Sequence, residues 1–380
     1  MSVYLDWAAT TTPDRDVLSE AAEIAAQGYG NPSSLHAEGK KAAGLLEEAR
    51  RRCAAALGVK PETLFFTSGG TESDHLPMLS LLQRPVRGSI AISAIEHPAI
   101  REQARMLDAA GWKMLTIPVT PEGFVTPKQV LSTIRENTAY VAVMAVNNET
   151  GAVQPVKEIA QALNDYCNGR KRPHFHVDAV QATGKVPLDF SQAGIDSIAI
   201  SGHKLQAPRG IGLLYLNRKT DPFIRGGGQE SGFRPGTENL YGAWALSRCL
   251  EKKMGTLTES VRQAEKVMSH LVSRITTMDD VSCIPETRQP EDIRFSPWVL
   301  QATNTVLPGE VLVRALSDEG VYISTGSACS SHKKNRPVLD AMKVPANQQQ
   351  NAFRISIGPT TTEDAIDTFI TILASALEKY

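Results

Sequence analysis

Five apolar runs between residues 65 and 200 of the 380-residue chain lead into residues that can do chemistry. Phe65-Phe66 leads into Thr67-Ser68-Gly69-Gly70-Thr71-Glu72, Ile90–Ser93 into Glu96-His97, and Val141–Val146 into Asn147-Asn148-Glu149. Phe175–Val177 leads into Asp178-Ala179-Val180-Gln181, and Ile198–Ile200 into Ser201-Gly202-His203-Lys204. A glycine turn with hydroxyls that opens a helix is an anion cradle, because free N–H groups point outward and glycines let the backbone approach. The same residues also suit an ordinary turn with Thr71 as a cap. No G-x-x-x-x-G-K-[ST] occurs, and Arg225–Gly232 holds no G-x-G-x-x-G, so nucleotide binding has no support.

Lys204, following a strand among small residues, is expected to be partly desolvated, with a depressed pKa suited to a Schiff base. On its own it reads equally as a solvated loop lysine. Asp178 at a neighbouring strand end changes that reading. Pyridoxal phosphate needs an imine lysine, a carboxylate at the pyridinium nitrogen and a phosphate cup. Lys204, Asp178 and the Gly70-Thr71 turn supply all three. His97, before Pro98, is either a helix-start histidine or a ring that stacks on the cofactor and shuttles protons. The Asn148-Glu149-Thr150 triplet matches a glycosylation acceptor by chance. Cys329 lies in Ser324–Ser331, a run of small residues after an expected strand (Val321–Ile323), so its thiol is expected to be exposed and mobile. Cys53 and Cys249 read as core residues, and Cys167 and Cys283 as structural. Five cysteines without a C-x-x-C or zinc spacing imply reduced thiols and no metal site.

To bring these residues together, the chain from Val17 to Tyr215 alternates helical stretches with short apolar strands. Strands are expected at Leu64–Phe66, Ser89–Ser93, Met114–Val119, Tyr140–Val146, Phe175–Val177, Ser197–Ile200 and Ile211–Leu216. Helices are expected at His36–Leu57, Pro127–Glu136 and Val156–Tyr166. Such alternation implies a mostly parallel sheet covered on both faces, with ligands outside the carboxyl ends of its strands. The Gly-rich stretch Arg225–Asn239 breaks the rhythm, and one long helix, Leu240–Thr276, is expected after it. Val281–Tyr380 reads as a smaller α+β domain, with strands at Asn304–Leu307 and Phe353–Ile357, helices at Gly309–Glu319 and Thr362–Glu378, and a boundary near residue 255. Forty basic against 41 acidic residues give a formal charge of −1, which offers no footprint for nucleic acid or an anionic membrane. No apolar run approaches the ~20 residues of a membrane span, and Met1–Trp7 lacks signal-peptide features, so the cytoplasm is the expected compartment.

Ordered motifs run nearly end to end: YLDWAATTTP (Tyr4–Pro13), GNPSSLH (Gly30–His36), TSGGTESD (Thr67–Asp74), EHPA (Glu96–Ala99) and VNNETG (Val146–Gly151). HVDAVQATGK (His176–Lys185), SGHK (Ser201–Lys204), RPGTEN (Arg234–Asn239), STGSACSS (Ser324–Ser331) and RISIG (Arg354–Gly358) follow. Together they resemble the NifS/IscS-like cysteine desulfurases, pyridoxal-phosphate enzymes of the class-V aminotransferase superfamily. The resemblance implies an α/β chain of the pyridoxal-phosphate-dependent transferase fold type I. Its large domain would span 13–255, and its small domain 1–12 plus 256–380 with the cysteine loop.

The resemblance also implies roles. Lys204 is the imine lysine, Asp178 pairs the pyridinium nitrogen, Gln181 meets the ring hydroxyl and His97 stacks on the ring. Gly70, Thr71, Ser201 and His203 hold the phosphate, with Thr237 of the partner subunit of a homodimer. Asn31 and Asn148 lie near the substrate L-cysteine, and Arg354 grips its carboxylate. Cys329 takes the sulfur as a persulfide for an acceptor protein, its thiolate favoured by His97 and the basic tract Lys333–Arg336. His75 stands where relatives carry a small amide. The chain ends at Tyr380, short of the tail of relatives that dock an iron–sulfur scaffold, which leaves the acceptor and pathway open. An aminotransferase or a selenocysteine lyase on the same scaffold is the alternative. A non-catalytic interaction subunit fits poorly with an intact Lys204, Asp178 and Cys329.

Overall fold

A computed structural model describes residues 2–169, 171–326 and 336–379. Its strands are β1 (Val3–Tyr4), β2 (Leu64–Thr67), β3 (Ser89–Ser93), β4 (Lys113–Ile117), β5 (Thr138–Ala142) and β6 (His174–Asp178). They continue with β7 (Ser197–Ser201), β8 (Gly212–Leu216), β9 (Val281–Ile284), β10 (Val299–Asn304), β11 (Val321–Tyr322) and β12 (Ala352–Ser356). Among the described residues the main sheet has the order β2-β8-β7-β6-β5-β3-β4, and only β8 runs against the rest. Every residue of β3, β5, β6 and β7 is buried, as expected for apolar strands covered by helices on both faces. The carboxyl ends of β2, β3, β5, β6 and β7 therefore share one edge. The reversed β8 brings its first residue there too, with Gly212 paired to both Thr67 and Ser201.

A second core gathers Val3, Leu5 and Ala8 with Leu271, Leu300, Phe353 and Phe369. It covers an antiparallel sheet, β12-β10-β9, and the short parallel pair β1-β11. The first residues of the chain thus pack with its last hundred. No helix of the described residues is long and apolar enough to cross a membrane.

Three expectations are corrected. The helix expected over Leu240–Thr276 is two, Leu240–Gly255 and Leu257–Ile275, because the poor helix former Gly255 is followed by Thr256 at φ −112°, ψ 11°. The strand expected at Asn304–Leu307 ends at Asn304, whose side-chain oxygen accepts from the N–H groups of Val306 and Leu307 and turns the chain. In the run Tyr140–Val146 the strand β5 ends at Ala142, although the Val143 and Ala145 N–H groups still donate to the carbonyls of His176 and Asp178. There the Met144 N–H donates instead to the Glu96 carboxylate, at 2.8 Å.

Candidate active site

At the carboxyl edge of the main sheet, a cavity of about 370 Å³ is lined by residues from each of the expected strand ends. Asp178, the last residue of β6, forms its floor and accepts from the Val180 N–H at 2.9 Å. Burial and the nearby Asp74 push the Asp178 carboxyl up to about 8. Behind it lies a fully enclosed polar chain. Asp74 is 3.1 Å from His176 Nε2, and the Ser197 hydroxyl sits 2.7 Å from both His176 Nδ1 and His174 Nε2. Burial holds His176 down to about 4, so its ring is neutral at neutral pH, and burial raises the Asp74 carboxyl well above the usual carboxylate range. Glu96 is buried beside them and pushed to about 8 by burial, with Oε1 bonded to Ser93 and to the Met144 N–H.

Lys204 ends a short helical turn after β7, and its Nζ donates to the carbonyls of Ala8 at 2.6 Å and Ala9 at 2.5 Å. Gln181 Nε2 donates to the same Ala8 carbonyl at 2.9 Å. The N-terminal segment therefore reaches across the chain to hold the lysine. His97 combines both of its expected roles. It caps the helix Pro98–Ala109, with Nδ1 accepting from the Ala99 N–H at 3.2 Å, and it also lines the cavity. Because Nδ1 accepts, the neutral ring carries its proton on Nε2. Burial, reinforced by Lys204 and Arg101, lowers its pKa to about 4. His97 is thus a neutral donor at neutral pH rather than the cation that a charge-based activation of a thiolate would need.

The other end of the cavity suits an anion. The helix Gly70–Leu79 starts there, with Thr71, Ser201 and His203 around its open N–H groups. A Cβ at Gly70 would lie 2.8 Å from Val180 Cγ2, and one at Gly212 would lie 2.6 Å from Gly69 Cα. The turn approaches this closely only with glycine at both positions. Burial, then the positive Lys204 and Lys185, hold His203 at about 4, and its Nδ1 meets the Thr10 hydroxyl at 3.1 Å.

Arg354 of β12 is 1% exposed and enters the cavity from the second core. It donates to Asp6 at 2.7 Å and to the Asn148 carbonyl at 3.0 Å, and its Nε has no partner among the described residues. Its backbone pairs with Ser324, and Arg336 donates to the Thr325 carbonyl. Both chain segments flanking residues 327–335 therefore root beside the cavity. Cys329 and Lys333–Asn335 lie outside the described residues. Asn31 and Thr237 are exposed and do not line the cavity. Sequence reasoning missed the carbonyls of Ala8 and Ala9, Asp74 and Glu96 behind the floor, and the Asp6–Arg354 pair. Their only signal was membership in the motifs YLDWAATTTP, TSGGTESD and EHPA.

The donor set fits pyridoxal phosphate. It comprises a primary amine, a buried carboxyl facing the same cavity, a ring to stack and an anion cradle that a Cβ at Gly70 would fill. The sequence pattern of the family Aminotransferase class-V matches residues 3–369. A relative from Dictyoglomus turgidum, "Cysteine desulfurase IscS", is 32% identical, with 99% of this chain and 95% of that protein covered. A solved "NIFS-LIKE PROTEIN" is similar at a TM-score of 0.91 and 34% identity, with both chains covered completely. The solved "SspA in complex with cysteine" is similar at a TM-score of 0.79 and 28% identity, over 95% of this chain and 100% of that one.

Fold and site thus define a class-V aminotransferase of the pyridoxal-phosphate-dependent fold type I. Within that class the chain belongs to the cysteine desulfurases of the NifS and IscS kind.

Proposed function

We propose that the chain removes the sulfur of L-cysteine, leaving L-alanine, and carries it on Cys329 as a persulfide. One observation carries this reading. Lys204, Asp178 and Arg354 meet in one cavity, and both segments flanking the Cys329 stretch root beside it. The solved relative described with bound cysteine supports the substrate.

Bound pyridoxal phosphate supplies an electron sink for charge developing on the substrate carbons. The chain does the rest. Gly70, Thr71, Ser201 and His203 hold the phosphate, and Asp178 holds a proton at the ring nitrogen. His97 would pack over the ring, and Gln181 would meet its phenolic oxygen. Arg354 pairs with the substrate carboxylate, with Asn31 and Asn148 nearby, and the Lys204 amine moves the proton at Cα. The Cys329 thiolate attacks the substrate sulfur. The S–S bond forms as the Cβ–S bond breaks, the electron pair stays with carbon, and protonation of that carbon gives alanine. Cysteine and a thiol thus become alanine and a persulfide, with no outside oxidant.

The working form in this reading is a homodimer, with Thr237 of the partner subunit at the phosphate, and the persulfide passes to an acceptor protein of iron–sulfur assembly or another sulfur pathway. The large unit spans 13–255. The small one joins 1–12 to 256–380, a division that the joint core of Leu5 and Phe369 supports. Buried thiols at Cys53, Cys249 and Cys283 support a reducing, cytoplasmic setting.

Mass spectrometry after cysteine treatment tests the reading. The Cys329 peptide should gain about 32 Da, one sulfur atom. Cys329→Ser should keep its cofactor and form no persulfide. Sulfur accumulating on another cysteine, or wild-type alanine production by Cys329→Ser, would overturn the assignment. Pyruvate as the main product would favour an aminotransferase.

A further inference from the structure

Gln181 and Lys185 lie four residues apart on one helical turn after β6, so their side chains leave the same face. Lys185 Nζ donates to Gln181 Oε1 at 2.7 Å, and Gln181 Nε2 donates to the Ala8 carbonyl at 2.9 Å. A carbonyl only accepts, so the Ala8 contact admits a single orientation of the amide. Its carbonyl faces Lys185. The amide keeps a second N–H to offer the cavity that Gln181 lines.

The turn is pinned on two sides. Gly184 has φ +67°, and a Cβ there would lie 2.9 Å from the Cβ of Lys253. From the second core, Trp298 Nε1 donates to the Lys185 carbonyl at 2.7 Å. The charged groups acting on Lys185 are Lys204 after β7, Lys253 of the helix Leu240–Gly255 and Arg354 of β12, and all are cations. Burial and these neighbours hold its pKa well below that of an ordinary lysine. Such a cluster is unfavourable until an anion joins it.

We propose that Lys185 is a positioning residue for the cofactor: through Gln181 it presents an N–H donor to the ring's phenolic oxygen and favours the ionised form of that oxygen. The inference rests on reading the cavity as the pyridoxal-phosphate site.

The test titrates pyridoxal phosphate into the cofactor-free protein and records affinity and absorbance. Lys185→Met should weaken binding about tenfold, the scale of one hydrogen bond to a charged group. Its yellow band should fall in favour of the near-ultraviolet absorbance of an un-ionised phenol. Lys185→Arg, whose side chain also only donates, should retain the spectrum. In a Gln181→Leu background the Lys185→Met effect should vanish, because the ammonium acts through the amide. Unchanged affinity and spectrum in Lys185→Met, or an undiminished effect without Gln181, overturns the inference. Should Lys185→Met fail to fold, Lys185→Leu serves in its place with the same loss expected. If Gln181→Leu alone changes nothing, the reading of Gln181 at the ring falls and this inference falls with it. If Gln181→Leu has its effect and Lys185→Met has none, the inference alone falls.

Discussion

At the floor of the cavity, Asp178, Asp74, Glu96 and His176 come from three separate stretches of one chain, and none is more than 5% exposed. Near the rim, Asn31 and Thr237 stand on exposed loops outside the cavity lining. The floor is enclosed by a packed sheet, so its polar groups titrate far from their usual ranges, and Glu96 Oε2 has no partner among the described residues. Asn31 and Thr237 are instead exposed to solvent, outside the packed sheet. The electronic part of the site is thus preorganised within one chain, and the proposed shared part depends on assembly.

Substitutions can break this contrast, beginning with the largest expected effect. Lys204→Ala removes the amine that stands between floor and rim. Alanine formation should drop by at least about 1,000-fold, within the range for a lost acid–base group. Sulfide release at the wild-type rate would remove Lys204 from the mechanism. Asp178→Asn keeps the shape of the floor but removes the carboxyl that can exchange a proton with a ring nitrogen. The turnover number should fall about 100-fold, as when a preorganised electrostatic partner is lost, with KM little changed. A matched loss in KM alone would mean that Asp178 binds substrate instead.

The rim is tested by mixing. Lys204→Ala and Thr237→Ala subunits, each impaired alone, should recover part of the activity when co-assembled, because one intact site can form at the interface. If heterodimers form and no activity returns, the sites are not shared.

The smallest effect concerns pH and the cofactor-free protein. Glu96 and Asp178 have folded pKa values raised to about 8, so their contribution to stability is complete at acid pH and is lost as pH rises through about 8. His97, His176 and His203 are lowered to about 4 and act oppositely, losing their contribution as pH falls through about 4. Above the usual histidine range of about 6.5 the Glu96 and Asp178 carboxyls still change and draw stability down towards about pH 8, against the opposite trend of the lowered Lys185. Glu96→Gln should flatten that decline, as read from urea midpoints across this window. An unchanged slope would show that Glu96 is ionised in its pocket.

Much of the site was legible because each functional group directly follows an apolar run. His97, Asn148, Asp178, Ser201 and Lys204 sit where buried strands reach the surface, and a parallel sheet brings such ends to one edge. Arg354 stood out differently, through the RISIG motif, since it comes from the second core. The helix break at Thr256 and the early end of β10 at Asn304 were missed because local caps and turns override apolar periodicity.

The amino-acid order by itself determined the alternation of strands and helices, the glycine turn at the phosphate end and the residue types at the sheet edge, because these follow from local spacing and burial. Only the tertiary structure decided that Ala8 and Ala9 hold Lys204, that Asp74 and His176 meet behind Asp178, and that Lys185 orients Gln181. Two of those contacts join residues a hundred or more positions apart through carbonyls and enclosed side chains. A backbone carbonyl has no side-chain signature, and a buried carboxyl takes its charge state from neighbours that only the folded chain assembles.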